Sequence, residues 1–218
     1  MNIKEGNYLD MRNNIILTDC DGVLCDWEYA FTQWMHKQGI LTKNANEYDV
    51  AAKFDIEFYQ AKAKVKEFND SAAIAFLPPL RDAVYYMKRL NMLHGYKFHV
   101  ITSLSSDKYA QKLRKQNLDL LFGEELFDEI ICLPCGADKD KVLEKYKDSG
   151  CYWIEDKVEN AVVGDRLGLH SVLVEHPHNS NSVASDPYAY DDDSAHIPRF
   201  DKWKHIYNYI TGEEEYEF

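Results

Sequence analysis

Five short apolar segments, separated by amphipathic stretches, constrain the fold of this chain more than any other feature. They lie near residues 15–19, 97–102, 129–133, 151–155 and 171–175. Their Val, Ile, Leu and aromatic residues do not alternate strictly with polar residues, which is typical of strands buried on both faces of a sheet. Strands that alternate with helices fold through right-handed crossovers. The sequence therefore predicts an α/β fold with a doubly wound, Rossmann-like parallel sheet.

Residues 27–75, the inserted segment, interrupt this alternation between the first and the second predicted strand. Hydrophobic periodicity predicts two or three amphipathic helices there, over Trp27 to about Ile40, Tyr48 to about Phe58, and Ala61 to Phe68. Beyond the fifth strand, the composition predicts a polar loop over residues 179–193 and a tail. We therefore predict two domains, a core of residues 1–26 and 76–218 and a small helical domain of residues 27–75.

Length, charge and hydropathy argue against several classes of protein. The 218 residues suffice for one substantial core and a small accessory unit. The formal net charge of −12 argues against binding a nucleic-acid polymer, which requires an excess of Lys and Arg. No run of about 18 apolar residues is present, so we expect no membrane span. Residues 1–6 lack a signal region and the five cysteines lack disulfide-framework spacing, so we expect a cytoplasmic protein.

Two aspartates follow the first predicted strand. Asp19 and Asp21 are separated by one residue, and Gly22 comes next. Side chains alternate along a strand, so the two carboxylates point the same way if the strand geometry persists. Two such charges repel each other unless a cation or a shared proton lies between them. The pair therefore predicts a site for a divalent metal and a phosphate group, with an Asp-rich turn as the simpler alternative.

Polar residues also end the next three predicted strands: Thr102 and Ser103, then Lys139, then Glu155 and Asp156. Ligands of doubly wound sheets bind beyond the carboxyl ends of the strands, so we expect these side chains to converge with the aspartate pair. Each also has a simpler explanation when it is taken alone. Hydroxyl and acidic residues often cap helices, and a lysine is usually exposed on the surface.

In this order and at these strand ends, the motifs resemble those of the haloacid dehalogenase-like (HAD) phosphatase superfamily. The resemblance implies a HAD core, with the inserted segment as a helical cap of the C1 type. It implies that Asp19 is the nucleophile that forms an aspartyl-phosphate. Asp21 would be the general acid and base, with its main-chain carbonyl on the metal. Thr102, Ser103 and Lys139 would bind the phosphate group.

The resemblance also implies a Mg²⁺ site, with four candidate ligands: Asp19, Asp21, Asp156 and Glu155. Carboxylate oxygens suit this cation. Asp156 is preferred to Glu155 as the direct ligand, but the choice stays open. Lys141 likewise competes with Lys139 for the role of catalytic lysine. Lys139 is preferred because Asp-Lys then precedes a helix, as it does in the superfamily.

A narrower resemblance, to the 5′(3′)-deoxyribonucleotidases, extends over roughly residues 15–205. It is carried by Phe76-Leu77-Pro78-Pro79-Leu80, Asp107-Lys108-Tyr109-Ala110, Asp138-Lys139, His178-Asn179 and Arg199-x-x-x-Trp203. This family implies a Mg²⁺-dependent phosphomonoesterase that hydrolyses nucleoside 5′-monophosphates, deoxyribonucleotides in particular. Two alternatives remain. One is the same chemistry on another small phosphate ester such as a sugar phosphate, and the other is a non-catalytic nucleotide-binding protein with the same fold.

Two aromatic residues are candidates for contact with the substrate. Trp27 follows the aspartate pair closely and matches a pocket aromatic of the nucleotidases, so it is the first candidate to stack on a base. Phe76 is the second. Core packing is the simpler explanation for both. The expected partner is therefore a small molecule, a nucleoside monophosphate, and the sequence leaves the oligomeric state open, with a homodimer as one option.

Overall fold

The computed structural model describes residues 14–45, 47–177, 179, 194 and 196–213, so most of the predicted loop 179–193 lies outside it. The strands of the described part are β1 (Ile15–Thr18), β2 (Lys97–Ser103), β3 (Phe127–Leu133), β4 (Tyr152–Glu155), β5 (His170–Val174) and β6 (Arg199–Phe200). They form one parallel sheet of order β3-β2-β1-β4-β5-β6. The predicted α/β fold is therefore confirmed, and each of the five predicted strands is present.

The chain order of the strands reverses at β1, which lies between β2 and β4. Thr18 is paired with Val100 of β2 and with Ile154 of β4. The residue after Thr18 therefore lies close to the ends of both neighbouring strands. In open α/β sheets, ligands bind at such a switch point, beyond the carboxyl ends of the strands. The pairing thus brings the polar residues that follow β1, β2 and β4 to one edge of the sheet.

Helices flank the sheet. They are α1 (Trp27–Lys37), α2 (Val50–Phe54), α3 (Phe58–Asn69), α4 (Ala83–His94), α5 (Lys108–Phe122), α6 (Asp140–Leu143), α7 (Val158–Arg166) and α8 (Trp203–Thr211), with short 3-10 helices at Ala72–Phe76 and Glu144–Tyr146. Ile16 of β1 packs in one apolar cluster with Phe98 and Ile154, whereas Leu17 packs in a second cluster with Trp153. Successive residues of one strand thus belong to different apolar layers, which explains why the apolar runs do not alternate with polar residues.

Helices α1, α2 and α3 belong to the inserted segment, and their bounds differ from the predicted ones. Helix α1 ends at Lys37 rather than near Ile40, because Gly39 adopts a φ of +80°. Helix α2 has only five residues. Asp49 caps its first turn by accepting a hydrogen bond from the Ala52 N–H, and Asp55 ends it in the left-handed region. Local capping therefore shortens α1 and α2 relative to their apolar patterns, whereas α3 begins at Phe58 rather than at the predicted Ala61.

Aromatic packing joins the inserted segment to the rest of the chain. Phe31 of α1 and Phe68 of α3 pack edge to face, with ring centroids 5.3 Å apart. Both belong to the same buried cluster as Leu24 and Leu104, which lie in the loops after β1 and β2. The inserted segment therefore packs against the edge of the sheet where the polar strand ends meet.

The sequence does not predict β6 and α8. Asp82, just before α4, accepts hydrogen bonds from the backbone N–H groups of Trp203 and Lys204, at 3.0 and 2.9 Å. The buried Trp203 donates from its indole N–H to the carbonyl oxygen of Val23 at 2.8 Å. A two-residue strand is too short to show a hydrophobic pattern, and a helix whose cap comes from a distant loop has no capping residue next to it in the sequence. Neither element can therefore be recognised from its own residues. Within the residues described, no helix combines the length and apolar character needed to cross a bilayer.

Candidate active site

A large cleft opens at the carboxyl ends of β1, β2 and β4. Its volume is about 1710 Å³, and the polar residues predicted at the strand ends all line it. The inserted segment also lines it, with residues of α1, of α2, of α3 and of the loop between α1 and α2. A concave site with convergent polar groups is the preferred place for a small ligand. The structure thus brings together residues that are more than 130 positions apart in the chain.

Lys139 lies at the centre of this site. Its Nζ is 2.7 Å from Oδ2 of Asp19 and 2.7 Å from Oε2 of Glu155. Lys139 is 2% exposed, whereas Lys141 is on the surface. Burial opposes the charge of Lys139, but the two carboxylates outweigh burial and raise the pKa of this lysine above its ordinary value. The structure therefore places Lys139, and not Lys141, in contact with the first aspartate.

Three carboxylates lie next to one another beside this lysine. One oxygen of each of Asp19, Glu155 and Asp156 lies within 4.8 Å of the others. Burial raises the pKa of Asp19 to about 7, with Lys139 opposing the rise and Glu155 adding to it. Burial, followed by the charges of Glu155 and Asp19, raises the pKa of Asp156 well above its ordinary value. A hard divalent cation bound by these oxygens would relieve the crowding of negative charge, so the cluster fits Mg²⁺.

Glu155 is held by four hydrogen-bond donors. Its Oε1 accepts from the backbone N–H groups of Asp156 and Lys157, both at 3.1 Å. Its Oε2 accepts from Lys139 at 2.7 Å and from the side-chain amide of Asn160 at 3.2 Å. Burial would raise the pKa of Glu155, but Lys139 and these bonds hold it below its ordinary value. Glu155 is therefore a carboxylate that orients Lys139 next to the N-terminus of α7.

Gly22 lies against the carboxylate of Asp156. Its φ is +75°, and a Cβ atom on this residue would lie 2.1 Å from Oδ2 of Asp156. The carbonyl oxygen of Gly22 accepts a hydrogen bond from Nε2 of His176 at 2.7 Å. Asn179 donates from its side-chain amide to the carbonyl oxygen of Asp156 at 2.8 Å. The loop after β5 thus bonds to the backbone of both Gly22 and Asp156, and the sequence did not indicate this role for His176.

The carboxylate of Asp21 contacts a different partner. Strand β1 ends at Thr18, so the strand geometry does not persist through both aspartates. The two oxygens of Asp21 accept from Nη1 and Nη2 of Arg114, at 2.6 and 3.1 Å. Among the described residues, the cluster of potential ligand oxygens includes no side-chain atom of Asp21. The structure therefore does not bring this carboxylate into the cluster, which leaves the Asp21 carbonyl as the atom that the resemblance assigns to the metal.

Thr102 and Ser103 end β2 at the floor of the cleft. Thr102 is 1% exposed, and its hydroxyl has no hydrogen-bond partner among the described residues. A buried polar group left unpaired costs about 1–3 kcal/mol, so this hydroxyl would gain from a ligand that accepts its hydrogen bond. The hydroxyl of Ser103 donates to the carbonyl oxygen of Ala137 at 2.9 Å. Ser103 therefore fixes the loop that carries Lys139.

Of the two aromatic candidates, Trp27 lines the cleft and Phe76 does not. Trp27 stacks on Phe31 with ring centroids 4.6 Å apart, and its indole N–H donates to Oδ1 of Asn69 at 2.9 Å. Phe76 ends a 3-10 helix and is 75% exposed. The structure does not bring Phe76 to the site, because its side chain lies on the outer surface. Tyr48, which the sequence did not single out, lines the cleft together with Asn69.

Comparison with known proteins identifies the fold. No protein-family model and no curated protein sequence matches the chain. A haloacid dehalogenase-like family hydrolase from Streptococcus pneumoniae aligns with a TM-score of 0.60 and 15% identity, over 91% of this chain and 99% of that chain. A predicted phosphoglycolate phosphatase from Haemophilus somnus aligns with a TM-score of 0.56 and 15% identity, over 89% and 96%. CbbY from Rhodobacter sphaeroides, in complex with phosphate, aligns with a TM-score of 0.53 and 15% identity, over 88% and 96%.

These alignments show a shared fold. The chain has the parallel α/β fold of the haloacid dehalogenase-like hydrolases and phosphatases, as the resemblance of its motifs implies. One fold supports many activities, and activity depends on the site that a chain builds on it. The contacts between Lys139 and the neighbouring carboxylates are therefore what a proposed function has to explain.

Proposed function

We propose that the protein is a Mg²⁺-dependent phosphomonoesterase that acts through an aspartyl-phosphate intermediate. The contact of Lys139 with both Asp19 and Glu155, next to Asp156 and at the switch point of the sheet, carries this proposal. Phosphoryl transfer depends mainly on positioning and on neutralisation of charge. A buried lysine beside carboxylates that favour a cation supplies both at the place where a phosphate group would lie.

Asp19 is the proposed nucleophile. Its Oδ1 accepts a hydrogen bond from the Cys20 N–H at 2.6 Å, and its Oδ2 contacts Lys139. Attack on phosphorus breaks the bond to the leaving oxygen and forms an acyl phosphate on Asp19. Asp21 gives a proton to the leaving alcohol and then takes a proton from the water that attacks the acyl phosphate. Inorganic phosphate leaves, and both aspartates return to their initial states.

The phosphate oxygens would lie between Thr102 and Lys139. The buried hydroxyl of Thr102, which has no hydrogen-bond partner among the described residues, would donate to one of them. Lys139 would offset the charge of the nucleophile and of the phosphate together. Ser103 would contribute its backbone, because its hydroxyl is already bonded to Ala137.

Asp19 and Asp156 are the proposed side-chain ligands of Mg²⁺, with the main-chain carbonyl of Asp21 as the further oxygen that the resemblance implies. Glu155 is the weaker candidate, because donors already occupy both of its oxygens. When bound, the cation supplies positive charge that offsets the repulsion between the carboxylates and the phosphate. The main role of Glu155 is then to hold Lys139.

We further propose that the substrate is a nucleoside 5′-monophosphate, with the inserted segment as a cap over the cleft. The cleft volume of about 1710 Å³ leaves room for a base and a sugar beside the phosphate site. Trp27, held by Phe31 and Asn69, is the proposed stacking surface. Stacking of a base on an aromatic ring is worth about 1–3 kcal/mol. Deoxyribonucleotides are the preferred substrates in this proposal, because the motifs of the chain resemble those of the 5′(3′)-deoxyribonucleotidases.

A smaller phosphate ester, such as a sugar phosphate, is the second candidate. It is favoured by the structural likeness to a predicted phosphoglycolate phosphatase and to a CbbY protein in complex with phosphate. The stacking of Trp27 on Phe31 is also consistent with this candidate, because one face of the indole is already covered. The two candidates share the reaction and differ in the group that the cap would contact.

Both candidate substrate classes are tested by measuring the release of inorganic phosphate from a panel of phosphate esters in the presence of Mg²⁺. We expect kcat/KM to be at least about tenfold higher for deoxyribonucleoside 5′-monophosphates than for sugar phosphates and phosphoglycolate. The reverse order would support the second candidate. Asp19→Asn is expected to abolish turnover, whereas Asp128→Asn, on the exposed part of β3, serves as the matched control. Unchanged phosphate release by Asp19→Asn would overturn the mechanism and favour a non-catalytic nucleotide-binding protein.

A further inference from the structure

Arg114 of α5 reaches Asp21 from the buried side of the cleft. The Arg114 side chain is 0% exposed, and it makes the two-point contact with the Asp21 carboxylate at 2.6 and 3.1 Å. The side chain of Asp21 remains 22% exposed and lines the cleft. The carboxylate thus lies between a buried guanidinium and the space where a substrate would bind.

We infer that Arg114 is a positioning residue, which holds the Asp21 carboxylate in the orientation that exchanges a proton with the leaving oxygen. This inference rests on the proposed phosphomonoesterase activity. A planar guanidinium that forms two parallel bonds fixes both the distance and the plane of a carboxylate, which a lysine ammonium cannot do. Arg114 therefore restricts the Asp21 side chain to one arrangement facing the cleft.

A second contact extends this effect to the turn that carries both aspartates. Nη1 of Arg114 lies 2.8 Å from Sγ of Cys20, the residue between Asp19 and Asp21. The same guanidinium therefore contacts two successive residues of the turn. Because Arg114 belongs to the 15-residue helix α5, it anchors the turn to a regular element rather than to a loop.

A purely structural role for Arg114 and a positioning role predict different kinetics. If Arg114 only stabilises the fold, its replacement should affect all phosphate esters equally. If it positions the proton donor, the loss should depend on the leaving group. An alkyl alcohol needs a proton when the P–O bond breaks, whereas para-nitrophenolate leaves readily without one.

Arg114→Lys tests this difference, because it keeps the charge and removes the two-point contact. We expect kcat/KM to fall about 10- to 100-fold for a deoxyribonucleoside 5′-monophosphate and less than about threefold for para-nitrophenyl phosphate. Lys115→Gln, at the next and exposed position of α5, should leave both values unchanged. Equal losses on the two esters would overturn the positioning role.

A double variant gives a second test of the same inference. In an Asp21→Asn background, Arg114→Lys should not change the ratio of kcat/KM between the two esters any further, because Arg114 affects protonation of the leaving group only through Asp21. A further change in this ratio would contradict the inference. Failure of the wild-type protein on both esters would instead overturn the proposed function itself, and the positioning role with it.

A stability measurement does not depend on whether Arg114 variants fold. Asp21→Asn removes the partner of a fully buried guanidinium, so its midpoint of urea unfolding should be lower than that of the wild type. Asp128→Asn, whose carboxylate lies on the surface and pairs with Lys97 at 3.8 Å, should change the midpoint much less. An Asp21→Asn midpoint equal to that of the wild type would show that the pair does not hold Asp21, and the inference would fail.

Discussion

At the scale of single residues, Lys139 is the side chain on which the site depends most. Lys139→Ala would leave Asp19 and Glu155 buried next to each other without a counter-charge. Removing one partner of a buried ion pair typically costs about 3–5 kcal/mol, and we expect a loss of this size in the free energy of unfolding. We also expect kcat/KM to fall at least about 100-fold, because the charge next to the phosphate is lost. Urea unfolding and phosphate-release kinetics measure the two effects.

Lys141→Ala is the matched control for this prediction. Lys141 lies two residues further along, on the surface, and substitutions at such positions change stability by less than about 0.5 kcal/mol. We expect near wild-type activity. If the two alanine variants behaved alike, the assignment of Lys139 to the site would be wrong.

Gly22 and Gly39 allow a second comparison between single residues. Both adopt positive φ, +75° and +80°, so alanine is strained at either position. At Gly22, an added Cβ would lie 2.1 Å from Oδ2 of Asp156, whereas at Gly39 no atom of the described residues lies within 4 Å of an added Cβ. We expect Gly22→Ala to lose most of its activity by displacing the Asp156 carboxylate, and Gly39→Ala to lose stability of about 1 kcal/mol but to keep its activity.

Circular dichroism and kinetics of the two purified variants check this prediction. Because the backbone strain is common to both, the difference between them isolates the contact with Asp156. Activity that survives in Gly22→Ala would mean that Asp156 can move without consequence, and its role as a metal ligand would have to be abandoned.

At the scale of elements, the apolar runs predict where the strands lie and caps decide where several helices end. The cores of β1 to β5 carry enough Val, Ile and aromatic residues to be recognised locally. The short helix α2 is bounded by Asp49 and by Asp55, whose left-handed conformation the apolar pattern does not encode. Strand β6 has only two residues, and its partner β5 is needed to define it. Such elements depend on tertiary contacts and are missed by periodicity.

Asp82 tests how strongly one element depends on another. Its carboxylate accepts from the first backbone N–H groups of α8, at Trp203 and Lys204. We expect Asp82→Ala to lower the free energy of unfolding by about 1–2 kcal/mol, the usual cost of losing a helix cap. Asp128→Ala is the control, since its ion pair with Lys97, at 3.8 Å and on the surface, contributes less than about 1 kcal/mol. Equal changes in the two urea midpoints would contradict the capping role.

At the scale of the whole molecule, the positions of the site residues are better predicted than their contacts. Parallel strands with polar ends at a switch point place Asp19, Lys139 and Asp156 at one edge of the sheet, and the structure brings them together. The contacts of Arg114 and His176 carry no such signal, because a buried arginine and a loop histidine gain their partners only when distant segments fold. Contacts of this kind can be identified only from the three-dimensional structure.

The acidic cluster links the site to the stability of the whole fold. A cation that binds only the folded state adds about 2.7 kcal/mol at about 100 times its Kd, so Mg²⁺ should raise the melting temperature of the wild type. Asp156→Asn should be at least as stable as the wild type without Mg²⁺, because burial, followed by the charges of Glu155 and Asp19, disfavours the charge of Asp156. Its melting temperature should not respond to Mg²⁺, whereas Asp128→Asn should respond fully. Sodium chloride at equal ionic strength controls for screening of the net charge of −12. An equal response of Asp156→Asn would place the cation elsewhere.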